Sequence, residues 1–511
     1  MPRSAPPGEL ASHSSTEPSV IDCLNECEWL IDNAATYERL VQSIQQAERS
    51  VWMMQLAFDA DCETFVRDDG EAAATFAGAL AEASRERAVD LRILLNATLL
   101  MDTTAALRRF LLTAGADAAT AQVRGIRRFP QLLHAKVMIV DGHEAFLIGS
   151  PFANGYWDTE RHRPVDGRRA MRELGGRPLH DVSVCITGGA VVDLERIFTE
   201  LWNVSSGPDG AFQLPAVPDD VVPDSERSII ALTAPQGLLP ARADGPTDIL
   251  DACVDAIGRA RSLIYIEHQY LSARPVIRAL LDALAREPAL EIVAVLNQNA
   301  DITAYRLWQV DRLGRTGLLT HPRVGLFSLW STSIDARGGP LHVNQIFVHS
   351  KVLIIDDECA LVGSANLDGV SLHSYGDDFA NPLGRWVFRD VRNVDVCAVI
   401  REDAQSGRRG AIGELRARLW GEHLGQSPHD VSGRPVQGWL TQWRSRAALN
   451  VNALNDGREL SGAILPYSLR ATPERQLREV GVRLNGRMRL HFNPGWMEVH
   501  FSPNWIRNMF A

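Results

Sequence analysis

HSKVLIIDDECALVGSANLDGVSL, residues 349–372, is the stretch whose reading decides the fold. It spaces His349, Lys351 and Asp356 as H-x-K-x4-D, places Gly363-Ser364 after six intervening residues, and adds Asn366. An earlier stretch, HAKVMIVDGHEAFLIGSPFANGYWD (134–158), repeats the pattern with His134, Lys136 and Asp141, and Gly149-Ser150 comes one residue later. Both copies read as strands. His349, Lys351 and Leu353 share one face, while Ser350, Val352 and Ile354 face a core, and His134 and Lys136 project together in the same way. Asp141 and Asp356 fall where each strand turns, where a carboxylate accepts backbone hydrogen bonds or pairs with a cation. Two copies of one reactive pattern predict a single centre at the seam between two similar halves.

Outward from these strands the chain alternates helical and apolar strand-length segments, which predicts α/β layers. In the first half a helix is expected near 36–49, a strand at 51–59, a helix within 70–88, a strand at 91–100 and a helix near 102–114. In the second half the series is a helix near 248–260, a strand at 263–271, a helix near 275–286 and a strand at 290–299. The intervals agree: Val51 to His134 is 83 residues and Leu263 to His349 is 86, while His134 to Trp202 is 68 and His349 to Trp420 is 71. The expected organisation is a disordered or extended lead over 1–35, a first half over 36–225 and a second over 226–425. A C-terminal extension over 426–511 packs on the second half. It carries Trp439, Trp443, Trp496 and Trp505, read as core, and an alternating piece at 488–501.

The chain has 511 residues, a formal net charge of −11 and ordinary hydrophobic and charged fractions of 45% and 23%. This acidic balance argues against a broad nucleic-acid footprint. Its only two lysines are Lys136 and Lys351, one in each motif, so a compact ammonium is needed where arginine's planar fork would not fit. Seven cysteines form no metal-ligand spacing and read as free thiols. No run of 18 apolar residues exists and the first 20 residues lack a signal-peptide core. The expected location is cytoplasmic or peripheral to a membrane. Delivery into another cell by a specialised secretion machine fits the same features.

Two imidazoles, two ammoniums and small polar donors suit a phosphodiester. The lysines, with Ser150, Ser364 and Asn366, hold the nonbridging oxygens. One histidine attacks phosphorus and the other protonates the leaving alkoxide. This chemistry calls for no metal or other cofactor, and no carboxylate–histidine cluster at metal spacing accompanies the motifs. Candidate carboxylates to orient the imidazoles are Asp158, Asp377 and Asp378. Glu267 and Gln269 face the same way on their strand and are candidates for supporting His349. His143 reads as a surface histidine, and His180-Asp181 as a structural pair at a strand start.

The two motifs resemble the duplicated HKD signature of the phospholipase D superfamily, H-x-K-x4-D-x6-G-S-x-N. The second copy matches fully and the first matches through Asp141. YWDTERH (156–162), LHDVSVCITGGAVVDLERIFTELW (179–202), IYIEHQYL (264–271) and LWGEHLG (419–425) further resemble segments of eukaryotic-type phospholipase D. The resemblance covers roughly 36–425. It implies two α/β/α sandwich halves about a pseudo-twofold axis, with the active site at their interface. It also implies attack by His134, acid–base work by His349, and phosphatidyl transfer to water or a small alcohol at a phospholipid surface. The expected protein is a monomer with no nucleic-acid partner and no front C2, PX or PH domain. Three departures stand near the motifs: His268 replaces the family's Asn, Val370-Ser371 its Arg-Ser, and Asp377-Asp378-Phe379 its D-x-E pair. The competing readings are a phosphatidyltransferase resembling cardiolipin or phosphatidylserine synthases, a superfamily nuclease, and a lipid-binding scaffold without turnover. All six motif residues being present speaks against the last.

Overall fold

The structure, a computed structural model, describes residues 26–64, 74–98, 101–169, 175–205, 213–217, 228–299, 303–335, 338–402 and 410–492. The first part of the chain forms β1 (Cys27–Ile31), α1 (Asn33–Gln46), β2 (Ser50–Gln55), α2 (Phe76–Arg87), β3 (Asp90–Asn96), α3 (Thr104–Thr113), β4 (Ala121–Ile126), β5 (Val137–Val140) and β6 (Glu144–Leu147). It then adds β7 (Leu179–His180), β8 (Val182–Thr187) and α4 (Gly189–Val204). The rest supplies β9 (Ser228–Thr233), α5 (Asp248–Arg259), β10 (Leu263–His268), α6 (Arg274–Arg286), β11 (Glu291–Leu296), α7 (Thr303–Arg315), β12 (Val324–Ile334), β13 (Leu341–Gln345), β14 (Phe347–Val348), β15 (Lys351–Ile355) and β16 (Cys359–Gly363). It closes with α8 (Gly369–Leu372), α9 (Pro382–Val387), β17 (Asp395–Arg401), α10 (Ala411–Leu424), α11 (Trp439–Asn455), β18 (Ile464–Pro466), α12 (Pro473–Glu479) and β19 (Met488–His491).

The fold is mixed α/β. One sheet runs β4-β3-β2-β5-β6-β8-β1, and the other contains β12-β11-β10-β15-β16-β17-β9 in the matching order. Directions match as well. The first two pairs of each series are parallel and the remaining four antiparallel. Side chains of α1, α2 and α3 pack the outer face of the first sheet through Leu40, Ile44, Leu80 and Leu107 against Met53, Ile93 and Met138. Ile249, Ile257 and Leu280 of α5 and α6 do the same for the second sheet, against Ile264, Ile292 and Leu353. The two inner faces share one cluster with α4, α10 and α11, where Trp202, Trp420 and Trp443 are fully buried. Truncating a core tryptophan of this kind costs about 3–5 kcal/mol. Strands covered on both faces explain why the apolar runs did not alternate.

Three expectations need correction. The lead expected over 1–35 is shorter, because Cys27–Ile31 pairs antiparallel with β8 and α1 starts at Asn33. That strand is only five residues and declares itself through its partner. The uninterrupted strand from His349 to Leu353 is broken: β14 stops at Val348 and β15 starts at Lys351, because the His349 amide leaves the sheet to donate to the His180 carbonyl at 2.8 Å. Nor does β15 have one core face and one open face. Val352 and Ile354 enter the inner cluster while Leu353 and Ile355 enter the outer one. In the C-terminal region Trp439 and Trp443 are core, β18 pairs with β12, and β19 pairs with β13. Trp496 and Trp505 lie outside the described residues.

Candidate active site

Each motif is a hairpin whose Asp sits at the start of a three-residue loop. Asp141 and Asp356 both adopt φ 53, a left-handed conformation that Asp tolerates because its short side chain bonds the local backbone. The Asp141 carboxylate accepts the amides of Glu48, Arg49 and Ser50 at 2.7–2.8 Å. Asp356 does the same with Arg261, Ser262 and Leu263. Burial works to raise the Asp141 carboxyl, and those amides outweigh it and hold it below its usual value. These two carboxylates therefore anchor the hairpins to β2 and β10 at the end of the strand away from the histidines. The sequence counts both among the six motif residues and offers them backbone amides or a cation; the structure gives them backbone amides as partners.

At the other end the two halves exchange side chains. His134 Nδ1 lies 2.7 Å from Oδ1 of Asp395, a residue of β17 in the second sheet. His349 Nδ1 lies 2.8 Å from Oδ2 of Asp181, which stands between β7 and β8 in the first part of the chain. The backbone enforces the exchange. Phe347 and Val348 pair in parallel with Leu179 and His180, and Leu133 bridges Val394 in parallel, with the His134 amide donating to the Val394 carbonyl at 2.9 Å. The serines complete each pair: Ser150 bonds Asp181 and reaches His349 Nδ1 at 3.3 Å, and Ser364 donates to Asp395 at 2.6 Å. Glycine precedes each serine because a Cβ would strike the Asp181 carboxylate at Gly149 and the backbone of Val396 and Cys397 at Gly363.

Lys136 and Lys351 are 1% and 2% exposed, and each ammonium donates to the carbonyl of its own motif histidine, Lys136 at 2.8 Å. Burial and then the Lys351 charge pull Lys136 down to about 7. Burial and the neighbouring lysine likewise depress the imidazoles, His349 to about 3 through Lys351 and His134 through Lys136. Their carboxylates resist without reversing this. Burial opposes ionisation of Asp181, but the His349 interaction and Lys351 hold it at about 2; Asp395 is lowered in the same way by His134 and Lys136. At neutral pH both imidazoles are neutral, with Nδ1–H on a carboxylate and the Nε2 lone pair free.

Four buried side chains here keep polar atoms without a hydrogen bond among the described residues: Gln55 at both amide atoms, His268 at Nδ1, Asn366 at Oδ1 and Asp395 at Oδ2. His268 pairs with Lys351 in the β10–β15 ladder, and Gln55 is the residue after the Met54–Val137 pair in the equivalent β2–β5 ladder. The unpaired nitrogens among them, Gln55 Nε2 and His268 Nδ1, belong to side chains next to the lysines and can donate to an anion. An ammonium held at about 7 stabilises the fold less below that pH, so from this group the free chain gains stability as pH rises from 7 towards 10.5, the ordinary value for lysine. Anion binding opposes this by favouring the charged form. Calorimetry of inorganic phosphate binding at pH 8 in buffers of differing ionisation heat is expected to show proton uptake, lost in Lys136→Met.

The orienting carboxylates foreseen from the sequence are elsewhere. Asp158 binds Arg169 at 3.0 Å, His162 at 3.1 Å and the Leu179 amide at 2.8 Å. Asp377 pairs with His373 at 2.6 Å. Asp378 accepts from the Gly369 amide at 2.9 Å and pairs with Arg312 at 3.2 Å. Glu267 does support the His349 region, binding the neighbouring Ser350 hydroxyl, Tyr265 at 2.6 Å and His423 at 2.9 Å, whereas Gln269 donates to the Tyr270 hydroxyl at 2.9 Å. His180 and Asp181 are no mere structural pair, since Asp181 is the partner of His349. Asp181 and Asp395 carried a common signal: they follow His134 and His349 by 47 and 46 residues and open D-V-S-V-C-I and D-V-C-A-V-I.

Comparison with known proteins finds similarity that includes the second motif. A family model described as cardiolipin synthase, PLD-like domain, matches residues 253–378, and one described as phospholipase D matches 338–476. Phospholipase D alpha 1 of Oryza sativa subsp. japonica is 23% identical over 416 residues, covering 59% of this chain and 50% of that protein. Phospholipase D alpha 1 of Zea mays is 22% identical over 465 residues, covering 68% and 56%. The chain spans about half the length of the curated relatives it matches. Among solved structures, phosphatidylserine synthase of Haemophilus influenzae Rd KW20 aligns over 74% of this chain and 83% of that one, at 11% identity and a TM-score of 0.46.

Proposed function

Because this chain belongs to the phospholipase D superfamily, we propose that it transfers the phosphatidyl group of a phospholipid to water, releasing phosphatidic acid. The observation that carries this reading is the reciprocal pair of carboxylate-held imidazoles, His134–Asp395 and His349–Asp181, around two buried ammoniums. The lipid phosphate enters between Lys136 and Lys351 and its charge favours protonation of one imidazole. By resemblance to the superfamily, His134 Nε2 attacks phosphorus. The phosphorus–oxygen bond to the headgroup breaks, and the leaving alkoxide takes the proton from His349 Nε2. His349, now neutral, removes a proton from water. The hydroxide displaces His134 from phosphorus, and His349 keeps the proton for the next cycle. Asp181 and Asp395 stabilise the imidazolium in each half-reaction, and the lysines carry the charge on the phosphoryl oxygens.

A lipid substrate is supported by exposed apolar side chains. Phe129 is 75% exposed five residues before His134, and Leu383, Trp386 and Val387 are 69%, 65% and 50% exposed on one face of α9. Hydrogen bonds from Leu132 to Asn393 and from Val394 to Leu132 join the stretch after Phe129 to the stretch between α9 and β17, beside the His134–Asp395 pair. No helix among the described residues is long and apolar enough to cross a membrane, and these exposed apolar side chains offer a way to engage one from its face. Replacing Leu383 and Trp386 together by serine is expected to lower turnover of vesicle lipid about tenfold while sparing a soluble phosphodiester.

The test is turnover of mixed phospholipid vesicles with ethanol present, products resolved by mass spectrometry, beside His134→Ala. Phosphatidic acid and phosphatidylethanol, both lost in the variant, support the reading; no lipid product from any vesicle overturns it. The match to a model described as cardiolipin synthase favours a second reading, in which the same intermediate passes to a lipid alcohol. A hydroxylated lipid outcompeting water in the same vesicles would select it.

A further inference from the structure

Four separate stretches of the chain converge beside Asp181, the partner of His349. Asp32, between β1 and α1, and His162 and His180 come from the first part of the chain; Glu422 comes from α10. His162 Nε2 lies 3.1 Å from Glu422 Oε1 and 3.5 Å from Asp32 Oδ2. His180 Nδ1 lies 3.2 Å from Glu422 Oε1 and 3.0 Å from Asp32 Oδ1. Two imidazole nitrogens thus face the same two carboxylates at nearly equal spacing. Bonds of about 2.0–2.1 Å to a tetrahedral zinc ion set ligand atoms about 3.3 Å apart, and the four nitrogen–oxygen separations here run from 3.0 to 3.5 Å.

Three further observations point to an ion. His180 is fully buried, yet neither of its ring nitrogens makes an aligned hydrogen bond, and Asp32 Oδ2 makes none either. The outer nitrogens of both rings meet carboxylates, His162 Nδ1 with Asp158 at 3.1 Å and His180 Nε2 with Glu267 at 2.8 Å. Such outer carboxylates orient metal-bound imidazoles. The two inner carboxylates balance a divalent charge, which a dry site requires. A surface cavity of about 500 Å³ lined by Asp32, Glu38, Trp157 and Glu160 gives access from solvent.

We propose that Asp32, His162, His180 and Glu422 hold one zinc ion that staples α10 to the segment carrying Asp181. The ion takes no part in phosphoryl transfer. It fixes His180, whose carbonyl receives the His349 amide at 2.8 Å, and so fixes the strand pair that presents Asp181 to His349.

The experiment uses the full chain, purified after zinc supplementation and exhaustive dialysis, with metal measured by plasma mass spectrometry. About one zinc per chain is expected, falling to background in His162→Ala and Glu422→Gln. Asp158→Asn is expected to weaken zinc binding about 10–100-fold. Cobalt exchanged into the wild type is expected to give the intense visible bands of a tetrahedral ion, absent from Glu422→Gln. Glu422 keeps 19% of its side chain exposed, so Glu422→Gln decides the matter where His162→Ala does not fold. Wild-type protein without bound zinc after loading, or equal zinc in wild type and Glu422→Gln, overturns the proposal.

Discussion

Asp395→Asn is expected to cut lipid turnover about 10³–10⁴-fold with the fold retained. Asp395 accepts the His134 Nδ1 proton at 2.7 Å and the Ser364 hydroxyl at 2.6 Å. A carboxamide in its place is free to present its NH2 to Nδ1. That selects the tautomer with hydrogen on Nε2, and the nitrogen that attacks phosphorus is then no longer a nucleophile. Asp181→Asn disturbs the other imidazole, which on this mechanism works as the acid. Its defect is expected to be as large on a phospholipid, whose alkoxide needs a proton, and to shrink to within about tenfold of wild type in the first-turnover burst of a p-nitrophenyl phosphodiester, whose phenolate leaves unaided, while the later hydrolysis that uses His349 as base stays slow. Asp395→Asn should remain defective on both. Melting temperatures near wild type would separate these losses from unfolding, and the opposite pattern on the activated ester would exchange the roles of the two histidines.

The second large effect concerns the lysines. Lys351→Met is expected to lower kcat about 10²–10³-fold, the usual cost of removing one donor to a developing oxyanion. Lys351→Arg is expected to do little better, although it keeps the charge. The Lys351 ammonium sits at 2% exposure and donates to the His349 carbonyl. A planar five-donor group cannot occupy that space without displacing His349 from Asp181. Recovery of near wild-type kcat in Lys351→Arg would sink the argument that the site selects a compact ammonium.

How far the sequence could be read follows from the range of each interaction. His134, Lys136, His349 and Lys351 declared themselves because their pattern is local, and the structure brings all four to one centre. The helices and strands flanking the motifs lie close to where periodicity put them, as with α5 at Asp248–Arg259 against an expectation of 248–260. Asp181 and Asp395 escaped because each serves a histidine of the opposite half, and nothing in a strand's periodicity says which edge will meet it. Asp158 illustrates the same limit. It is near Ser150 in sequence, but its carboxylate turns to Arg169 and His162. Gln55 gave no signal at all, since a single amide ending an apolar strand is common and only its lack of partners marks it.

The exchange of carboxylates between halves makes the centre a logical conjunction. A first half folding ahead of the second as the chain emerges from the ribosome would carry His134 with no carboxylate on its Nδ1, and the second half alone would leave His349 in the same condition. An enzyme wired this way stays silent as fragments and switches on only when the seam closes. Proteolysis anywhere that lets the halves part is therefore an off-switch, even where every residue of both motifs survives intact.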